Sequence, residues 1–203
     1  MRRYIIANIH ALRKWRQKGV VVQFKSHNFD ADIMDFVKIG QGSLGGKARS
    51  LAFMSALLHQ NPTIYENYPE INIEIPKTLA VGTDGFESFI NLNGLRDFAT
   101  RKFSNEEIND AFLKAVMPEW LVKELEIYLA QVTYPLSVRS SSLLEDAQFQ
   151  PYAGIYETYM IPNNHPKLSK RLEHLITAIK LVYASTFYEE AKAFSRSTSN
   201  QPQ

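Results

Sequence analysis

Residues 35–59 constrain the fold more tightly than any other stretch. Asp35-Phe-Val-Lys-Ile39 reads as a short strand, and Gly40-Gln-Gly-Ser-Leu-Gly-Gly46 follows it. Lys47 then opens a helical stripe of Ala48, Leu51, Ala52, Ala56 and Leu58, which Asn61-Pro62 stops. The glycines permit positive φ and close backbone approach, so successive N–H groups of the turn are expected to face one concavity. Lys47 adds a full charge to the partial positive charge of the helix N-terminus. Gly40, Gly42, Gly45, Gly46 and Lys47 are therefore candidates for holding a polyphosphate, although a plain strand-to-helix turn has the same composition. The loop is not a Walker A sequence: that pattern needs glycine where Gln41 stands and a magnesium-binding hydroxyl where Ala48 stands. A dinucleotide GxGxxG turn is also a poor fit, because a lysine follows directly and no acidic strand end appears at the right distance.

A second cluster lies near residue 140. Pro135-Leu-Ser-Val-Arg139 reads as a buried strand closed by an arginine, then come Ser140, Ser141 and Ser142, with Glu145 and Asp146 beyond. A guanidinium at a strand end needs an anion, a carboxylate or solvent. Arg139 is thus a second candidate phosphate contact, with Ser140 and Ser141 as neutral donors. Glu145 and Asp146 are placed to pair with Arg139 or Lys47, or to help hold a hydrated cation. A simple Arg139–Glu145 pair pinning the loop is the plainer reading. Tyr152-Ala-Gly154 suggests a turn or flap before a strand at 156–161.

Elsewhere, Ile71-Asn-Ile-Glu-Ile75 alternates like a strand and 76–81 continues extended. Thr83 and Asp84 are expected to cap a helix over 85–92, and Ser104-Asn-Glu-Glu107 forms a capping box for one over 105–115. Pro118 starts another helix, and a long helical period runs from Lys167 to about Ser195. Strands and helices intermix without regular βαβ alternation, which predicts an α+β domain with a mixed sheet covered by helices.

Bulk composition narrows the function classes. The 203 residues are 45% hydrophobic and 22% charged and contain no cysteine, which excludes disulfide frameworks and cysteine–zinc sites and fits a cytoplasmic compartment. The five histidines show no paired-ligand spacing, and no run reaches the length of a membrane span. Residues 1–29 hold seven Lys/Arg and no acid, whereas the remainder carries 16 basic and 21 acidic residues. The expected division is a basic helix and linker over 1–34 and a folded lobe over 35–203. The folded part is not free of acids, so no nucleic-acid partner is expected, and without an apolar run of span length no membrane partner is expected either.

In order and spacing, these pieces resemble the nucleotide-binding domain of the phosphoenolpyruvate synthase and pyruvate phosphate dikinase family. The matching segments are Gly45-Gly-Lys47-Ala-Arg-Ser-Leu51-Ala52, Ile75-Pro76 through Val81 with Phe86 and Phe89, and Val138-Arg139-Ser140-Ser141 through Glu145-Asp146. Tyr152-Ala153-Gly154 with Thr158-Tyr159, and Ala184 through Phe187 with Ala191, Phe194 and Arg196, complete the set. The resemblance implies the first lobe of an ATP-grasp site, a fragment truncated at its C-terminus and not expected to be active alone. ATP there phosphorylates a histidine on a separate swivelling domain, which passes the phosphoryl group to pyruvate or another acceptor. It implies that Lys47 and Arg139 contact ATP phosphates while the Gly40–Gly46 backbone closes over the nucleotide. ATP and magnesium are the implied cofactors, with the metal ligands, the second ATP-binding lobe and the phosphohistidine domain expected outside this chain. Tyr152 replaces the family's usual phenylalanine, and Glu189-Glu190 and Lys192 stand where an arginine is usual. The alternative is a non-catalytic regulatory or partner-binding module derived from this domain, docking through the basic helix.

Overall fold

The computed structural model describes residues 12, 19–67, 69–99, 101–142 and 154–193. Residues 1–11 and 13–18, which hold most of the basic segment, lie outside these residues, as do Glu145, Asp146, Tyr152, Phe194 and Arg196.

Three short strands form a parallel sheet in the order β1 (Val22–Gln23), β2 (Phe36–Ile39) and β3 (Thr78–Val81), with Val37 opposite Val22 and Leu79. β2 is central and nearly all buried, as expected of a strand covered on both faces. A second, antiparallel pair joins β4 (Leu136–Arg139) to β5 (Thr158–Ile161), with Arg139 opposite Thr158. The fold is mixed α+β: parallel and antiparallel pairing are both present, divided between two small sheets.

The helices are α1 (Gly46–Gln60), α2 (Thr63–Asn67), α3 (Thr83–Leu92), α4 (Asn105–Lys114), α5 (Glu119–Gln131) and α6 (Leu168–Ser185), with a 3-10 turn at Leu95–Ala99. α4 starts at the expected capping box: Ser104 Oγ accepts the Glu107 N–H at 3.2 Å, and Glu107 Oε2 accepts the Ser104 N–H at 2.8 Å. The main core gathers Ile39, Phe89, Ile108, Phe112, Leu121, Leu125, Leu129 and Val132. An aromatic cluster locks α3, α4 and α6 together: Phe86 meets Tyr183 edge-on at 5.0 Å, and Phe112 lies 5.8 Å from Phe89 and 5.2 Å from Phe187. Among the described residues, no helix is long and apolar enough to cross a membrane.

Three expectations are corrected. Residues 71–75 form no ladder, and Ile71 is exposed; β3 begins only at Thr78, past Pro76, where β2 offers a partner. β4 is half-buried, not buried, because Leu136 and Val138 face the core while Ser137 and Arg139 face outward. α6 stops at Ser185 and helix resumes only at 189–193. Ser185 Oγ donates to the Val182 carbonyl at 2.7 Å and Thr186 Oγ1 to that of Tyr183 at 2.7 Å, and this back-bonding loosens the helical ladder.

Candidate functional site

The glycine loop leaves β2 at Ile39 and enters α1 at Gly46. Its first half folds around two side chains from the start of α3. Asp84 Oδ2 accepts the Gln41 N–H at 2.7 Å, and Thr83 Oγ1 accepts that of Ser43 at 3.0 Å. The Thr83 N–H returns a bond to the Ser43 carbonyl at 3.0 Å. Thr83 and Asp84 were expected to cap their own helix, yet Gly82 is the N-cap of α3 and no side-chain cap bond is made. Their side chains bond to the loop. The close approach explains two of the glycines: a Cβ at Gly40, where φ is 82°, would run into the Asp84 carboxylate, and one at Gly42 would meet Thr83 and the Asp84 backbone. From the other side, Gln23 Nε2 donates to the Gly40 carbonyl at 2.9 Å and Lys38 Nζ to that of Gln41 at 3.2 Å.

The second half is held by the serine cluster. Ser141 Oγ accepts the Ala48 N–H at 2.9 Å, from 93 residues away, and donates to the Leu44 carbonyl at 2.9 Å. Its own carbonyl accepts the Gly46 N–H at 3.1 Å. Gly45, the N-cap of α1, has φ 75° and ψ −179° and no side chain, so Ser141 supplies from a distance the oxygen that a local capping residue normally provides. A Cβ at Gly45 would collide with the Ser141 carbonyl. The two clusters that stand far apart in sequence are therefore stitched together at the first turn of α1.

The N–H groups of Gln41, Ser43, Gly46 and Ala48 are thus bonded within the protein. An incoming anion meets mainly cationic side chains here. Lys47, half-buried, occupies the first turn of α1, and Arg49 donates to Ser43 Oγ at 2.6 Å. Arg139 ends β4 exposed, two residues before Ser141. Ser140 Oγ accepts the Ser142 N–H at 3.1 Å and so orders the chain after Arg139. Glu145 and Asp146 fall outside the described residues.

Beside the loop lies a cleft of about 360 Å³, lined among others by Gln23, Lys25, Gln41, Asp84, Trp120 and Glu124. Its two carboxylates respond in opposite directions. Burial pushes the Asp84 carboxyl up, but the N–H groups of Gln41, Gly42, Asp84 and Gly85 outweigh it and hold the group below the usual range. Glu124 is raised, by burial first and by the Asp84 charge second. Asp84 Oδ1 and Glu124 Oε2 are buried atoms that make no well-formed hydrogen bond among the described residues. Thr83, Asp84 and Glu124 escaped sequence reasoning as site residues; the only signal was the Thr-Asp pair after Gly82, which reads as an ordinary helix start. Among the described residues, no group of three or more His, Asp or Glu side chains is placed to hold a metal ion.

No curated protein and no solved structure matches the chain. A family model does: residues 41–202, from the glycine loop through α6 and beyond it, match the pyruvate phosphate dikinase AMP/ATP-binding domain. The match starts inside the loop that Asp84 and Ser141 hold and spans both clusters. With well over half of its length covered, this chain belongs to the family of the pyruvate phosphate dikinase AMP/ATP-binding domain.

Proposed function

We propose that the chain is the ATP-binding portion of a phosphoenolpyruvate synthase-like phosphotransferase, in which ATP phosphorylates a histidine of a separate domain and the phosphoryl group then passes to pyruvate or a similar acceptor. The observation that carries this reading is Ser141, which bonds to both sides of the α1 N-terminus and brings the end of β4 against the glycine loop. That contact sets the segment after Arg139 beside the first turn of α1, which carries Lys47 and Arg49, and cations near a helix N-terminus support a polyphosphate reading. Lys47 and Arg139 bind the phosphate oxygens and stabilise the negative charge that develops on them during transfer. Among the described residues no group of three or more His, Asp or Glu side chains could hold magnesium. Glu145 and Asp146 pair with Arg139 or Lys47, or help hold a hydrated cation.

Titration of magnesium-ATP to several millimolar, followed by backbone amide shifts, tests the reading. Movements are expected at Gly40–Lys47 and Arg139–Ser142. Lys47→Ala and Arg139→Ala should each weaken the response by about tenfold or more, the usual weight of a hydrogen bond to a charged group. An unchanged spectrum at saturating nucleotide would sink the ATP reading and leave the non-catalytic module in its place.

A further inference from the structure

We propose that Thr83 and Asp84 are positioning residues of the nucleotide site: their side chains set the conformation of the Gly40–Ser43 half of the loop and leave the contacts to the polyphosphate to side chains around the α1 N-terminus. The inference rests on the ATP-binding reading for the second clause only. Asp84 already supplies an anion to the turn, with Oδ2 at 2.7 Å from the Gln41 N and the Gly42 N–H also drawing its carboxyl down. A phosphate cannot occupy the same place. Thr83 adds a two-way link to Ser43, through its hydroxyl and its own N–H, both at 3.0 Å. Gly40, Gly42 and Gly82 all border this dipeptide closely, and at each of them a Cβ would strike Thr83, Asp84 or both. Three glycines cleared around two side chains amount to a built contact. Their absence of side chains therefore serves the latch first and the nucleotide second.

Amide hydrogen exchange of Gln41 and Ser43 reads the latch without nucleotide, and titration with magnesium-ATP reads its consequence. Asp84→Ala should speed Gln41 exchange by roughly tenfold or more, since a charge-assisted bond is lost, and should weaken ATP binding several-fold. Asp84→Asn keeps a carbonyl oxygen in place and should recover part of both losses, the remainder reflecting the missing charge. Should the alanine variant not fold, Thr83→Val removes only the hydroxyl and should speed exchange at Ser43 selectively. Unchanged exchange at both amides in the variants would overturn the proposal. Tighter ATP binding in Asp84→Asn and Asp84→Ala would overturn it as well, by showing that the carboxylate competes with phosphate. If wild-type protein shows normal protection but no nucleotide response, the ATP-binding reading fails and the latch stands.

Discussion

At Gly45 and Ser141 two single residues decide whether the site exists. Gly45 sits at φ 75° and ψ −179°, a region essentially closed to side-chain-bearing residues, and its missing Cβ is where the Ser141 carbonyl passes. Gly45→Ala therefore adds backbone strain of about 1–3 kcal/mol to a collision, and urea denaturation should show a loss larger than that of Ser141→Ala. The serine variant removes a helix cap, which costs about 1 kcal/mol, and should also loosen Ala48 in hydrogen exchange. Both changes should lower ATP affinity, because they part β4 from the loop that carries Lys47. Sequence alone exposes the glycines and serines but not their pairing. A cap supplied from within the same few residues leaves a local pattern, whereas one supplied from 93 residues away leaves none.

Among the elements, α5 and α6 show where local rules read well and where they stop. The capping box at Ser104, the stop at Asn61-Pro62 and the start after Pro118 are local events and were legible as such. The alternation at 71–75 promised a strand, but a strand needs a neighbour, and β2 is only four residues long and already matched by β3. The α6 N-terminus carries a buried arginine, Arg171, where the helix dipole disfavours a cation. Its reason lies in α5. Arg171 Nη1 donates to the carbonyls of Leu129 at 3.0 Å and Val132 at 2.8 Å, and Asn163 Nδ2 donates to those of Val132 and Tyr134, each at 3.0 Å. The cation of one helix thus closes the C-terminus of the other. Arg171→Met should destabilise the fold by about 2–4 kcal/mol by leaving carbonyls unpaired. Arg171→Lys should recover part of the loss, and chemical denaturation of the two variants checks both claims.

For the molecule as a whole, the opposite shifts of Asp84 and Glu124 couple the glycine loop to α5 through proton binding. Asp84, held below its ordinary value of 3.8, adds stability above that range and loses it as pH falls through its folded value. Glu124, raised above its ordinary 4.5, works in the other direction. Between that value and its higher folded one, the native state keeps a proton that the unfolded chain releases, so stability declines as pH rises through the window. Above it, an ionised carboxylate with one buried oxygen faces the charge of Asp84. Glu124→Gln removes that charge and should stabilise the protein at neutral pH, by only about 0.5 kcal/mol because water screens a half-buried side chain. The gain should vanish below the ordinary glutamate range, where Glu124 is protonated in both states. Asp84→Asn should show the opposite profile: a deficit at neutral pH that shrinks on acidification. Because the Asp84 charge is one cause of the Glu124 shift, the double variant should not equal the sum of the singles. Denaturation curves of the four proteins between pH 3 and 8 check this, and parallel profiles for wild type and Glu124→Gln would remove Glu124 from the account.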